Sequence, residues 1–153
     1  MAPRAARPPS AQARAATGYS GTPLAKKLGL REGHTVRWVA APPELPQWLA
    51  PLPARRGVAP RLGIEVDLVH GFYTERARLA RHLADCRARL REDAVLWVSW
   101  PKKSAKVATD ITEDVIRELA LPLGFVDIKV CAVSEVWSGV QRVLRKELRQ
   151  GGR

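Results

Sequence analysis

Lys102 and Lys103 follow an apolar run, AVLWVSW (94–100), and stand a few residues ahead of TDITEDVIRELALPLG, a segment with the marks of a helix entrance at Asp110 and Glu113. Two ammonium groups beside the N–H groups of a helix N-terminus form an anion site, suited to a phosphate, a nucleotide or a carboxylate. Thr109 adds a hydroxyl at the same entrance, and Tyr73 closes a second apolar stretch, IEVDLVHGFYT (64–74). Tyr19 and Ser20 lie in GYSGTP, which can fold back over the strand ends. Tyr19, Ser20, Tyr73, Lys102, Lys103 and Thr109 are therefore the candidate ligand contacts. Two features weigh against an anion. Asp110 and Glu113 read equally well as a capping box, which puts negative charge where the anion would bind. GYSGTP lacks both the preceding strand and the GK[ST] ending of a phosphate loop.

The inventory for catalysis is thin. His34, His70 and His82 show no HExxH or paired His/Cys spacing, so no metal site is expected. His70 alternates with apolar residues and reads as a core histidine. No GxSxG elbow surrounds Ser20, Ser99, Ser104, Ser134 or Ser138. Cys86 and Cys131 are too far apart for a redox or metal motif and behave as small apolar residues. Glu75 has a first-turn helix position that explains it structurally. No catalytic residue, metal or cofactor is assigned.

The elements that must position these residues follow from pattern. Thr22 and Pro23 open a short helix that Gly29 or Gly33 stops. TVRWVAA (35–41) has strand composition and ends at Pro42 and Pro43. Residues 42–63 form a proline-rich connection with one helical turn at Glu44–Leu49. IEVDLVHGFYT is the second strand, with Ile64, Val66, Leu68, His70 and Phe72 on one side. ERARLARHLADCRARLR (75–91) is a helix with Leu79, Leu83, Cys86 and Leu90 in one stripe. AVLWVSW is a strand covered on both faces, so Trp97 belongs to the core. Asp110 begins a helix that stops at Pro122 and Gly124. Residues 126–133 form a strand with Val126, Ile128, Val130 and Ala132 on one face, and 140–146 return antiparallel to it. This alternation predicts three parallel strands with right-handed crossovers and a terminal hairpin, in the order 1, 2, 3, 5, 4. Ligands then bind at Ala41–Glu44, Tyr73–Glu75 and Trp100–Lys103.

LGLREGHTVRWVAAPPE resembles the opening of class I methyltransferases, where such a segment leads through the first strand into a glycine-rich turn around the nucleoside cofactor. In this sequence the turn is Ala40, Ala41, Pro42, Pro43 and Glu44, without glycine. Prolines remove N–H donors and fix φ, which disfavours the usual cofactor grip. GYSGTPLAKKLGL, VSWPKK, TDITEDVIRELALPLGFVDIKVCAV and VWSGVQRV together resemble a family of short actinobacterial and other high-GC bacterial proteins known as a domain of unknown function. That resemblance spans Gly18 to Lys146 and implies a bacterial cytoplasmic setting without supplying an activity.

The chain has 153 residues and a net charge of +11. Its length suits one ordinary domain and excludes a large multidomain enzyme. The charge points to nucleic acid, yet much of it lies at the two ends, and the arginines of helix 75–91 spread around the cylinder. No apolar run is long enough for a membrane span or a secretory signal. Residues 1–17 read as a disordered basic tail, 18–146 as the α/β domain and 147–153 as a basic carboxyl tail. The expectation is an α/β, Rossmann-like, truncated methyltransferase-like three-layer sandwich with a C-terminal antiparallel hairpin. Its leading function is a non-catalytic domain binding a protein partner or a small anionic ligand at the strand ends. A nucleic-acid-binding module using the basic tails and exposed Trp is the first alternative, and a divergent methyltransferase is the second.

Overall fold

The computed structural model describes residues 23–50 and 57–148. The tail 1–17, Tyr19, Ser20, the Thr22 cap, part of the proline-rich connection and the last five residues of the carboxyl tail lie outside the described residues. Four α-helices are described: α1 (Leu24–Leu28), α2 (Leu45–Leu49), α3 (Arg76–Arg89) and α4 (Glu113–Ala120). The strands are β1 (Thr35–Val39), β2 (Gly57–Val58), β3 (Leu68–Phe72), β4 (Val95–Pro101), β5 (Phe125–Ala132) and β6 (Trp137–Leu144).

The sheet order is β2-β1-β3-β4-β6-β5, with β1 to β4 parallel and β6 antiparallel to both β4 and β5. The five expected strands therefore stand in the expected order. The sixth, β2, adds an edge inside the proline-rich connection. Two residues carry no readable pattern; the strand exists because Gly57 N–H reaches the His34 carbonyl at 2.9 Å and Ala59 N–H the Val36 carbonyl at 2.8 Å.

Side chains alternate across β4. Leu96, Val98 and Trp100 face α3 and α4, where Leu79, Leu83, Cys86 and Ile116 pack, while Trp97 faces α1 and α2. On that second face Leu24, Leu28, Leu45 and Leu49 meet Leu68 and Phe72. A five-residue helix is marginal alone. α1 is held because the buried Trp97 donates its Nε1–H to the Leu28 carbonyl at 2.8 Å. Gly29, at φ +87°, then turns the chain out of the helix, as its left-handed conformation requires. The exposed ion pairs of α3, Arg76–Glu118 and Arg78–Glu75 at 3.1 Å each, contribute about 0–1 kcal/mol apiece. Full burial of one leucine contributes about 1.5–3 kcal/mol, so the stripe of Leu79 and Leu83 decides where α3 sits.

Three local expectations are corrected. β3 begins at Leu68, four residues late, because Asp67 breaks the alternation: its carboxylate accepts Thr35 N–H at 2.7 Å and Arg91 at 2.9 Å. Val66 consequently faces α3, and Ile64 is 73% exposed. β5 is an edge strand with a register shift between Asp127 and Lys129, so Ile128 and Val130 are 56% and 50% exposed instead of forming a buried face.

The capping assignment also changes. Thr112, not Asp110, caps α4 by accepting Val115 N–H at 3.2 Å. Asp110 crosses over and accepts Arg76 N–H at 2.6 Å, capping the start of α3, whose first turn has no acid of its own. Asp110→Ala should therefore destabilise the protein by about 1 kcal/mol through loss of the α3 cap, with Asp110→Asn retaining most of it, in urea unfolding followed by circular dichroism.

Candidate functional site at the carboxyl ends of the parallel strands

β1, β3 and β4 deliver three loops to one end of the sheet. β1 leaves through Ala40, an exposed residue in the left-handed region at φ +56°. The bend continues through Pro42, whose carbonyl accepts Leu45 N–H at 3.1 Å and starts α2. Between this loop and the sheet lies an apolar cleft of about 280 Å³, bordered by Trp38, Ala41, Pro42, Pro43, Leu45 and Leu49.

A second recess, of about 370 Å³, lies between Glu44 and Trp48 on one side and the β5–β6 turn, Ser134 to Trp137, on the other. That turn is rigid. Ser134 Oγ accepts the N–H groups of Val136 and Trp137, both at 3.1 Å, and Lys102 N–H reaches the Val136 carbonyl at 2.7 Å. The Trp137 ring packs edge-on to Phe72 with centroids 5.2 Å apart.

Beneath the cleft, His70 is fully buried, with Nε2 2.7 Å from Ser99 Oγ and its ring stacked on Phe72 at 4.3 Å. Burial lowers its pKa to about 3, so it is a neutral core histidine, as its alternation with apolar residues implied. On the opposite face, His82 Nε2 lies 3.3 Å from Cys86 Sγ. Burial, with the nearby Asp85, pushes the thiol up to about 12, and burial draws the imidazole down to about 4. Both are neutral near pH 7, and the pair lacks the thiolate of a nucleophile. No group of three or more His, Cys, Asp or Glu among the described residues is placed to hold a metal.

The candidate contacts separate. Tyr73 is corrected: it turns inward, 6% exposed, with its ring 5.0 Å from His82 and burial raising its pKa, in space that the absent side chain of Gly71 leaves open. Thr109 is exposed but already engaged, donating to the Thr74 carbonyl at 2.7 Å and accepting Ile111 N–H at 3.1 Å. Lys102 is half-buried beside the β5–β6 turn, and Lys103 is exposed in a single 3-10 turn, Lys103–Ala105. Tyr19 and Ser20 lie outside the described residues. Sequence reading missed the recess at Trp48 and Trp137, whose walls lie about ninety residues apart. The abrupt change from strand composition to two prolines was its one local signal.

No protein-family model matches the chain, and no curated protein matches it. Solved structures do. An S-adenosylmethionine-dependent methyltransferase from Aquifex aeolicus aligns at TM-score 0.59 and 16% identity, over 80% of this chain and 88% of that one. Aeropyrum pernix fibrillarin, solved with natively bound S-adenosyl-L-methionine, aligns at 0.54 and 14%, over 83% and 71%. The Methanococcus jannaschii fibrillarin pre-rRNA processing protein aligns at 0.54 and 12%, over 80% and 69%. The chain has the Rossmann-like fold of class I methyltransferases. This overturns the expectation of a non-catalytic scaffold for a partner or an anion: the solved chains that share its architecture include an S-adenosylmethionine-dependent methyltransferase and a fibrillarin with S-adenosyl-L-methionine natively bound. No described helix is long and apolar enough to cross a membrane.

The two buried histidines make stability pH-dependent. Their folded pKa values, about 3 for His70 and about 4 for His82, lie below the ordinary 6.5, so on acidification the unfolded chain protonates first. Stability should be fully present above about pH 6.5 and fall below it by up to about 1.4 kcal/mol per pH unit for each histidine. Urea midpoints between pH 7 and 5 measure this, and His82→Gln should flatten the slope by about half.

Proposed function

We propose that the protein is a divergent S-adenosylmethionine-dependent methyltransferase whose cofactor nucleoside sits in the cleft beside Ala41. The observation that carries this reading is the cleft's position at the reversal of strand order. β1 has β2 on one side and β3 on the other, and ligands of open α/β sheets bind outside the strands' carboxyl ends at that switch point.

The residues present fit a nucleoside through shape. Trp38, Pro42, Pro43, Leu45 and Leu49 make flat or apolar walls, which suit the faces of an aromatic base. Ala40 keeps a left-handed bend at the end of β1, a conformation in which a non-glycine residue is strained by about 1–2 kcal/mol. Pro42 and Pro43 offer no N–H, and β2 is followed by Ala59, Pro60 and Arg61 without a carboxylate, so recognition depends on apolar contact. When bound, the cofactor supplies an electrophilic methyl carbon on a sulfonium centre. The motif strings and the free thiols of Cys86 and Cys131 support a reducing bacterial cytoplasm as the setting.

Calorimetry of the full chain with S-adenosylmethionine and S-adenosylhomocysteine tests the reading. Saturable binding is expected, and Ala41→Trp, which fills the cleft from an exposed position, should abolish it. Ala40→Gly should retain binding and change stability by between zero and about +1 kcal/mol, since relief of strain offsets added unfolded-chain entropy. A folded protein that binds neither compound at millimolar concentration rejects the proposal.

A further inference from the structure

The recess between α2 and the β5–β6 turn has a chemistry unlike that of the neighbouring cleft. It is lined by two tryptophans, Trp48 and Trp137, and by two exposed acidic residues, Glu44 and Glu135. In a chain of net charge +11, this pairing of acids and tryptophans stands against the general field of the molecule.

We propose that this recess binds an organic cation, specifically an alkylammonium group. Indole presents the strongest aromatic face to a cation, and a quaternary or primary ammonium between tryptophans is stabilised by about 0.5–2 kcal/mol per ring, more as water is excluded. The carboxylates supply charge complementarity that an uncharged ligand does not use. At about 370 Å³, the space lies at the lower end of small-molecule sites and suits a compact head group or the end of one side chain.

The walls are pre-organised. Trp137 is fixed by its edge-on contact with Phe72 and by the Ser134 turn, and Trp48 is carried by a helix whose Leu45 and Leu49 are buried. Little side-chain ordering is then required on binding, which favours affinity for a small ligand. The site shares no lining residue with the apolar cleft beside Ala41, so the inference stands independently of the cofactor assignment.

The test is a titration of the full chain at constant ionic strength, read by calorimetry and tryptophan fluorescence. The probes are tetramethylammonium, choline, the uncharged tert-butyl analogue of choline, and a capped glycine peptide containing one lysine. Saturable binding of at least one cation is expected, about tenfold or more tighter than the uncharged analogue. Trp48→Ala should weaken it by about threefold to thirtyfold. Glu135→Gln, an exposed change that leaves the turn's hydrogen bonds in place, should also weaken it. Tightest binding of the peptide assigns the cation to a lysine side chain, and tightest binding of tetramethylammonium or choline assigns it to a small quaternary ammonium compound. Equal affinity for charged and uncharged probes, binding indifferent to both substitutions, or no saturable binding overturns the proposal. S-adenosylhomocysteine binding to the same preparation separates this outcome from failure of the cofactor reading.

Discussion

Coverage of β3 and β4 on both faces is the constraint from which the rest of the molecule follows. Two adjacent parallel strands that are almost wholly buried need a helical layer on each side, and the polar groups within them are limited to partners inside the protein. His70 Nε2 and Ser99 Oγ, on neighbouring strands, meet at 2.7 Å, and Trp97 Nε1–H finds the Leu28 carbonyl, while His70 Nδ1 is buried without a hydrogen-bond partner. The second bond reaches from the central strand to the end of α1. It explains why a helix of one and a half turns keeps a fixed place against the sheet.

The same constraint makes the two ends of the sheet unlike. At the amino ends the chain is stitched shut: Arg91 donates to Asp67, to Asp93 and to the Ile64 carbonyl, and Asp67 in turn receives Thr35 N–H. At the carboxyl ends the connections diverge, α2 to one face and α3 to the other. Space is left between them. The loop before α4 closes part of it by placing Thr109 on Thr74 and Asp110 on the start of α3. What remains open lies on the α2 side, where both concavities are found.

Elements with strong internal periodicity were legible in the sequence. Leu79, Leu83 and Cys86 mark α3, and the continuous apolar run of β4 reveals a strand with two buried faces. The misses share a different origin. Asp110 has the local signature of a cap for its own helix, and only tertiary proximity assigns it to α3. Tyr73 sits at a strand end and turns inward because Gly71 leaves room for its ring, a fact of packing that spacing does not carry. Ile128 and Val130 alternate as a buried face would, but a strand at the sheet's edge lacks a helix over that position. Arg142 is the reverse case, a charge on β6 that is wholly buried with Asp127 at 3.7 Å as its ion-pair partner. Burial lowers its pKa, and nothing in VQRVLRK distinguishes it from a solvated arginine.

The glycine-free bend after β1 invites the inference that a ligand function has been lost, a step that treats two separate roles of glycine as one. A phosphate must be met by N–H donors, and Pro42 and Pro43 cannot supply them. A nucleoside base makes a different demand: flat apolar walls at the correct place and few polar groups, which prolines and an indole provide as well as bare backbone does. Glycine in such a bend serves two separate ends, a left-handed turn and close approach of the main chain. Ala40 meets the first at φ +56° with its side chain in solvent, where a Cβ obstructs nothing. The composition of the bend therefore limits the kind of contact the main chain can offer there, and the turn itself persists without glycine.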